Sequence, residues 1–352
     1  MKRFTFLFAA TALLSAPFAL AQEQAPSAMQ DLGVSISSKD ARVPLAKEAK
    51  PKLPKIMLVG APVAELFEQP FASVDPQKPP KVTDQLLMGS RVKVLSIEGK
   101  WAKVECIDTP YVSDEAAGDA TSIDKDKWSN RPGYVFFSRL VEGEEYKGSF
   151  TVNSATATAR VKTDTGAEQE LVLFMGTPLR VASGGGDGAF ELPDGRTAYL
   201  QDGDVYEGYG EPNAYRLRVV ETARKFIGVP YVWGGTTFRG IDCSGLTSTS
   251  MRMVGFSIPR TAHEQYLASR KKDTGSILRA GDFIFIASKD KPRHMHHVMM
   301  YTGKDTIIEA PRTGLTVREI SLLEKSGISF DGVPNGTNLK GRIVYFGTFF
   351  DD

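Results

Sequence analysis

Apolar and polar positions along the chain fall into successive regimes, and the change of period between them divides it. From residue 53 to 145 short apolar runs alternate with polar positions and are separated by turns, which is the period of half-buried strands. Lys55-Ile56-Met57-Leu58-Val59 is one such run. Arg91-Val92-Lys93-Val94-Leu95-Ser96-Ile97 alternates cleanly, turns at Glu98-Gly99-Lys100, and returns as Trp101-Ala102-Lys103-Val104-Glu105-Cys106, a hairpin. Gly133-Tyr134-Val135-Phe136-Phe137 is a further strand. The Asp-, Ser- and Ala-rich stretch between Asp108 and Arg131 interrupts the pattern and is expected to be a surface loop. Residues 149–208 repeat this texture: Leu173 to Val181 echoes Leu86 to Leu95, and Gly195 to Leu200 echoes the Gly133-Tyr134 strand. Short, evenly spaced strands predict a small β-barrel in each segment. For the second segment the alternative is one larger irregular β-domain.

From residue 213 the period becomes helical. Asn213 can cap a helix bearing Leu217, Val220, Ala223, Arg224 and Ile227, which Gly228-Val229-Pro230 stops. A second helix is predicted from Cys243 to Met253, and strands at 282–287, 297–302, 306–309, 315–320 and 342–348. Helices first and strands after predict an α+β domain over 213–352, its helices packed on an antiparallel sheet.

Composition changes this picture little. A chain of 352 residues has room for two or three domains, and a net charge of +1 gives no reason to expect a nucleic-acid or membrane-surface partner. The amino terminus adds more. Lys2 and Arg3 precede an apolar run over 4–20, and Ala19-Leu20-Ala21 is a cleavage pattern, so residues 1–21 are expected to be a signal peptide. The run falls short of the roughly 18 apolar residues that a span needs. The expectation is an exported protein, periplasmic or extracellular, with no integral membrane association after cleavage. Residues 22–52, poor in aromatics and rich in Ala, Lys, Gln and Pro, are expected to be a flexible leader.

The candidate chemistry centres on Asp242-Cys243-Ser244-Gly245. A thiol at a helix start sits beside orphan N–H groups and the positive end of the helix dipole, which favour the nucleophilic thiolate. Gly234, Gly235 and Gly245 leave the backbone open to a carbonyl, and an N–H of this turn is a candidate oxyanion donor. A buried inert cysteine is the competing reading. The chain has four histidines, His263, His294, His296 and His297. A two-residue period puts His297 and Met299 on one strand face and His296 and Val298 on the other. His297 leads the apolar run and is the candidate base. Metal binding by His294 and His296 lacks accompanying carboxylates or cysteines at ligand spacing, so no metal and no organic cofactor are expected. His263 is expected to be exposed or at a helix start. Glu309 ends the next strand, within cross-strand reach of His297, and can orient its ring; a solvated surface glutamate is the alternative.

Taken in order, five motifs resemble the NlpC/P60 family of papain-like cysteine peptidases, which cleave bacterial cell-wall peptides. They are Gly228-Val229-Pro230-Tyr231-Val232-Trp233-Gly234-Gly235, Asp242-Cys243-Ser244-Gly245-Leu246, Ile258-Pro259-Arg260-Thr261, Ala280-Gly281-Asp282-Phe283-Ile284-Phe285 and His297-Val298-Met299-Met300-Tyr301-Thr302-Gly303. The resemblance implies Cys243 as nucleophile, His297 as base and Glu309 at the third position, where the family most often has His, Asn or Gln. The segments Leu87 to Leu95, Lys100 to Val104 and Gly133 to Val135 resemble bacterial SH3-type barrels. Two such barrels before this catalytic domain resemble the dipeptidyl-peptidase-VI-like γ-D-glutamyl-L-diamino acid endopeptidases. That likeness implies a muropeptide or peptidoglycan substrate with a free N-terminal L-Ala. It also implies an acid and a tyrosine from the first barrel, Asp84 and Tyr134, over the cleft. Tyr231, Trp233, Asp242, Ser244 and Thr261 are the further binding positions it implies. Two other readings remain: a non-catalytic wall-binding protein that uses the barrels, and an amidase acting on another acylated substrate.

Overall fold

The computed structural model describes residues 52–351 apart from 76, 163–165, 185 and 187. The expected signal peptide, and the leader apart from Lys52, lie outside the described residues. Among these residues no helix is long and apolar enough to cross a membrane.

Two antiparallel sheets of seven strands come first, one between Lys55 and Glu142, the other between Phe150 and Glu207. With each sheet's strands numbered from its own start, both run in the order 3-2-6-5-4-1-7. Each encloses its own core. Val92, Val94, Val104 and Val135 fill the first, and Ala157, Ala159, Val161, Leu173 and Phe190 the second. Thr156–Lys162 shows the cause locally, since every second residue is buried and the rest face water. Met88 of the first unit inserts into the second core.

The stretch expected to be a surface loop at 108–131 is only partly one. It contains a short helix, Asp114–Ala117, capped by the Ser113 hydroxyl. Val112 and Ala117 are buried in the core of the C-terminal domain. Polar composition concealed two apolar anchors that only a distant partner could bury.

The C-terminal domain has a six-stranded antiparallel path: Arg270–Lys271, Arg342–Thr348, Phe283–Ser288, Met295–Gly303, Thr306–Glu309 and Arg318–Ser321. Thr337–Leu339 pairs beside Arg342–Thr348. The sheet is covered on both faces, which explains the near-continuous apolar runs of its central strands. Phe283, Phe285, Val298 and Met300 meet the Cys243 helix (Cys243–Arg252), while Ile284, Ile286, Met299 and Val344 pack with Leu322 and Phe330 on the other side. The first helix is Tyr215–Lys225 and buries Val219, Val220, Thr222 and Ala223. Leu217 and Ile227, expected on its apolar face, are 58% and 49% exposed. The Cys243 helix decides which stripe is covered, and spacing does not say where that neighbour lies. Ala262–Ala268 is a helix the apolar period did not reveal, although its start carries a capping box, Thr261 with Glu264.

Candidate active site

The turn before Cys243 is held by one buried arginine. Asp242 is the N-cap of the Cys243 helix: one oxygen accepts from the Gly245 N–H at 2.7 Å, the other from the Gly234 N–H at 2.8 Å. Arg260 grips both oxygens of Asp242 at 2.9 and 2.7 Å, and its Nε donates to Asp84 of the first sheet at 2.8 Å. All three side chains are buried. A side chain at Gly245 would meet the Gly235 carbonyl oxygen at 2.2 Å, and one at Gly234 (φ +78°) the Val82 carbonyl oxygen at 2.5 Å. Both glycines therefore let backbone approach backbone. Arg260→Lys keeps the charge but loses the fork, so we expect a loss of about 2 kcal/mol in denaturant unfolding.

Cys243 is the first residue of its helix, a free thiol 7% exposed. Its side chain hydrogen-bonds His297. The strand carrying His297 is bulged where Ile286 pairs with His297 but Ala287 pairs with Met295, which makes His296 the extra residue. His297 Nε2 lies 2.8 Å from Glu309 Oε2. The ladder pairs Met300 with Ile308, so Glu309 continues the strand opposite Met299, one diagonal from His297. Burial opposes charge on the imidazole, but hydrogen bonds to Cys243 and Glu309 outweigh it and hold its pKa up at about 9. For Glu309, burial again opposes charge, and the His297 hydrogen bond and nearby cations win, lowering its pKa to about 2.

Glu309 also serves two residues that sequence reasoning missed. Arg318 donates to Oε1 at 2.9 Å, and Lys325 to Oε2 at 2.5 Å, beneath a carboxylate with no solvent exposure. Glu309 pairs with Arg318 across the ladder. Lys325 arrives on the short helix Leu322–Ser326. Chemically, the array offers a thiol hydrogen-bonded to an imidazole whose protonated form persists to about pH 9, and a buried carboxylate fixing that ring. It suits acyl transfer: thiolate attack on a carbonyl, then protonation of the leaving amine by the imidazolium.

The remaining candidates divide between cleft and scaffold. Tyr231 and His297 line a cleft of about 1030 Å³, and burial pushes the Tyr231 phenol pKa up. Trp233 is 61% exposed beside this turn. Ser244 bonds Asp242 and accepts from Arg260. The Thr261 hydroxyl is engaged in the capping box. Tyr134 lines a small pocket of about 120 Å³ in the first sheet unit, together with Glu98, Trp101 and Lys103. Trp101 belongs to a buried cluster with Phe67, Val82 and Val232 of the C-terminal domain. Asp84 is not among the residues lining that pocket; its Oδ1 accepts from Arg260 Nε and from the Gln85 N–H. Glu98 was read only as a turn residue, and no local signal marked it. His263, expected to be exposed or at a helix start, is the second helical residue and is buried, its ring 4.5 Å from His294. Burial lowers its pKa to about 4. Among the described residues no group of three or more His, Cys, Asp or Glu is placed to hold a metal ion.

Residues 228–327 match the model of the NlpC/P60 family. This chain contains an NlpC/P60 domain. The chain is homologous to γ-D-glutamyl-L-lysine dipeptidyl-peptidases. It is 28% identical over 254 residues to the enzyme of that name from Bacillus cereus (strain ATCC 10987 / NRS 248), covering 69% of this chain and 71% of that protein. With the enzyme of the same name from Bacillus subtilis (strain 168), the match is 34% over 106 residues, 30% of this chain and 36% of that one. The crystal structure of an NlpC/P60 family protein from Bacillus cereus ATCC 10987 superimposes with a TM-score of 0.66 at 21% identity, over 84% of this chain and all of that one. The likeness extends the shared fold well beyond the NlpC/P60 domain into the β-rich units.

Proposed function

We propose that this protein is an exported cysteine endopeptidase that hydrolyses the γ-D-glutamyl-L-diamino acid bond of peptidoglycan-derived peptides with a free N-terminal L-Ala. The observation that carries the reading is the line Cys243–His297–Glu309 at the start of a buried helix. The names of the relatives support the bond. The Cys243 thiolate attacks the γ-glutamyl carbonyl, the C–N bond breaks as His297 protonates the leaving amine, and water, deprotonated by His297, cleaves the acyl-enzyme. Glu309 orients the imidazole.

The two β-rich units act as SH3-type barrels in this reading, and the first sets the substrate's length. Its pocket holds Glu98 and Tyr134, and Glu98 supplies the acid for the substrate ammonium, because Asp84 is committed to Arg260. An ammonium removed from water needs a paired carboxylate. Asp242, Ser244 and Thr261 then support the site by holding the turns beside it, while Tyr231 and Trp233 border the substrate.

The test is incubation of the full chain with L-Ala-γ-D-Glu-diaminopimelate and its N-acetylated form, with release of the dipeptide followed. We expect cleavage of the free-amine peptide about 10–100-fold faster, and Glu98→Gln to bring it down towards the acetylated rate. No dipeptide from either peptide overturns the peptidase reading. Equal rates overturn amine anchoring alone, and an acyl-transfer activity without that anchor would fit an amidase.

A further inference from the structure

We infer that His263 is a positioning residue for His297: through the Met295 N–H it fixes the bulge from which the His297 imidazole projects. The inference rests on the peptidase reading above, which makes His297 the base, and adds a residue outside the Cys243–His297–Glu309 line.

The strand Met295–Gly303 cannot be regular where it carries His297. In a pleated strand positions 295 and 298 face opposite sides. Here Met295 and Val298 are both buried in the core that contains Cys243, 2% and 1% exposed. The irregularity falls between them. The ladder to Phe283–Ser288 pairs Ile286 with His297 and Ala287 with Met295, passing over His296. A bulge re-aims the side chains beside it. The direction of the His297 ring, hydrogen-bonded to Cys243 and Glu309, therefore depends on what holds Met295 in place.

His263 supplies that hold from outside the sheet. It is the second residue of the helix Ala262–Ala268 and is 4% exposed. Its Nδ1 accepts from the Met295 N–H at 3.5 Å, and its ring lies 4.5 Å from that of His294, tilted by 41°. Accepting at Nδ1 needs a neutral ring with its proton on Nε2. Burial, and then the neighbouring His294, keep the ring neutral against the pull of Asp114, at a pKa of about 4. Residues just before Met295 are tied as well. The Pro292 carbonyl accepts from the Tyr345 hydroxyl at 2.7 Å, and Arg293 donates at 3.1 Å to the Asp119 carbonyl in the 108–131 stretch of the first unit. Those two bonds are exposed, whereas the His263 bond is buried and adjoins His296. Without its acceptor the buried Met295 N–H would be left unpaired, which favours a rearranged bulge.

The test combines steady-state kinetics on L-Ala-γ-D-Glu-diaminopimelate with an NMR titration of the His297 imidazole. It uses the full chain and its His263→Asn, His263→Gln and His263→Leu variants. Asparagine carries its amide oxygen one bond beyond Cγ, as Nδ1 is carried; glutamine carries it near the place of Nε2, and leucine has no acceptor. A small misplacement of a catalytic group costs on the order of 100-fold. His263→Leu should therefore lower kcat about 10–100-fold with KM within about 2-fold. His263→Gln should resemble it, and His263→Asn should recover most of the loss. The His297 titration should fall from about 9 towards the ordinary value of about 6.5 in His263→Leu, and return in His263→Asn. If His263→Leu does not fold, the comparison of His263→Asn with His263→Gln decides alone. Asparagine no better than glutamine, or a His297 titration unmoved where the acceptor is missing, would overturn the inference and leave the peptidase reading intact. If the wild type cleaves no peptide, the peptidase reading fails, and the titration still decides whether His263 sets the His297 ring.

Discussion

Cys243→Ala lowers kcat/KM on wall peptides by on the order of 10⁴-fold or more, since the nucleophile of a covalent mechanism has no substitute in the site. Cys243→Ser is expected to be nearly as inactive. A hydroxyl is far harder to deprotonate than a thiol, and an imidazole tuned to share a proton with sulfur does not supply the difference. Both variants should unfold within about 1 kcal/mol of wild type, because the deleted or exchanged atom is small. A second readout separates loss of chemistry from loss of fold. Cys106 lies in the core of the first seven-stranded unit, 1% exposed, and burial raises its thiol pKa far above the usual range. Iodoacetamide should therefore modify the native protein once, at Cys243, and should not modify folded Cys243→Ala. Wild-type turnover in Cys243→Ala would end the cysteine peptidase reading.

Glu309→Gln is expected to damage stability and catalysis together. The glutamine can still accept a hydrogen bond from the imidazole but leaves three cationic partners without their counter-charge. Breaking a buried ionic cluster costs about 3 kcal/mol, or roughly 6–12 °C in the melting of a domain this size. Loss of imidazole positioning and charge support should lower kcat/KM about 100-fold. The decisive measurement is the pH profile. In the wild type the imidazolium loses its proton as pH rises through about 9, so activity that depends on it falls on that alkaline limb. Without the carboxylate the limb should move down, towards the ordinary imidazole value of about 6.5. An unmoved limb would show that Glu309 is only structural.

The same network sets the pH window of stability. Glu309 is held below its unfolded value, so its contribution is present above roughly pH 4.3 and is lost as pH falls through about 2. His297 is held above its unfolded value, so its contribution is complete below roughly pH 6.5 and lost as pH rises through about 9. The two groups share a hydrogen bond, so these are two edges of one interaction.

Local chemistry made much of the fold and the centre of the site legible. Strand alternation in Arg91–Glu98 and Trp101–Tyr111 has a two-residue period because a pleated strand turns successive side chains to opposite faces. Cys243 was expected at a helix start, and the structure adds that Asp242 before it is the N-cap, its carboxylate accepting from a free N–H of the first turn. Glu309 was within reach of His297 because one short turn joins their strands. The capping box at Thr261 was equally local and went unread, since the helix behind it is short and buried on most sides.

What the sequence by itself determined is thus the period of most strands, several turns, and a candidate thiol, imidazole and carboxylate; the cap expected at Asn213 lies instead in a 3-10 turn, and Ala214 precedes the helix with no side-chain cap. Only the tertiary structure decided that Asp84 is spent on Arg260 and that Glu98 shares a pocket with Tyr134. Only it brought Arg318 and Lys325 together on Glu309, buried Val112 and Ala117 against a distant domain, and gathered cations from three segments along one cleft. The physical reason is the range of the forces involved. Caps and periods arise from backbone geometry within a few residues. Which charge meets which across 176 residues, as for Asp84 and Arg260, depends on strand order and domain docking, which leave no mark in local spacing.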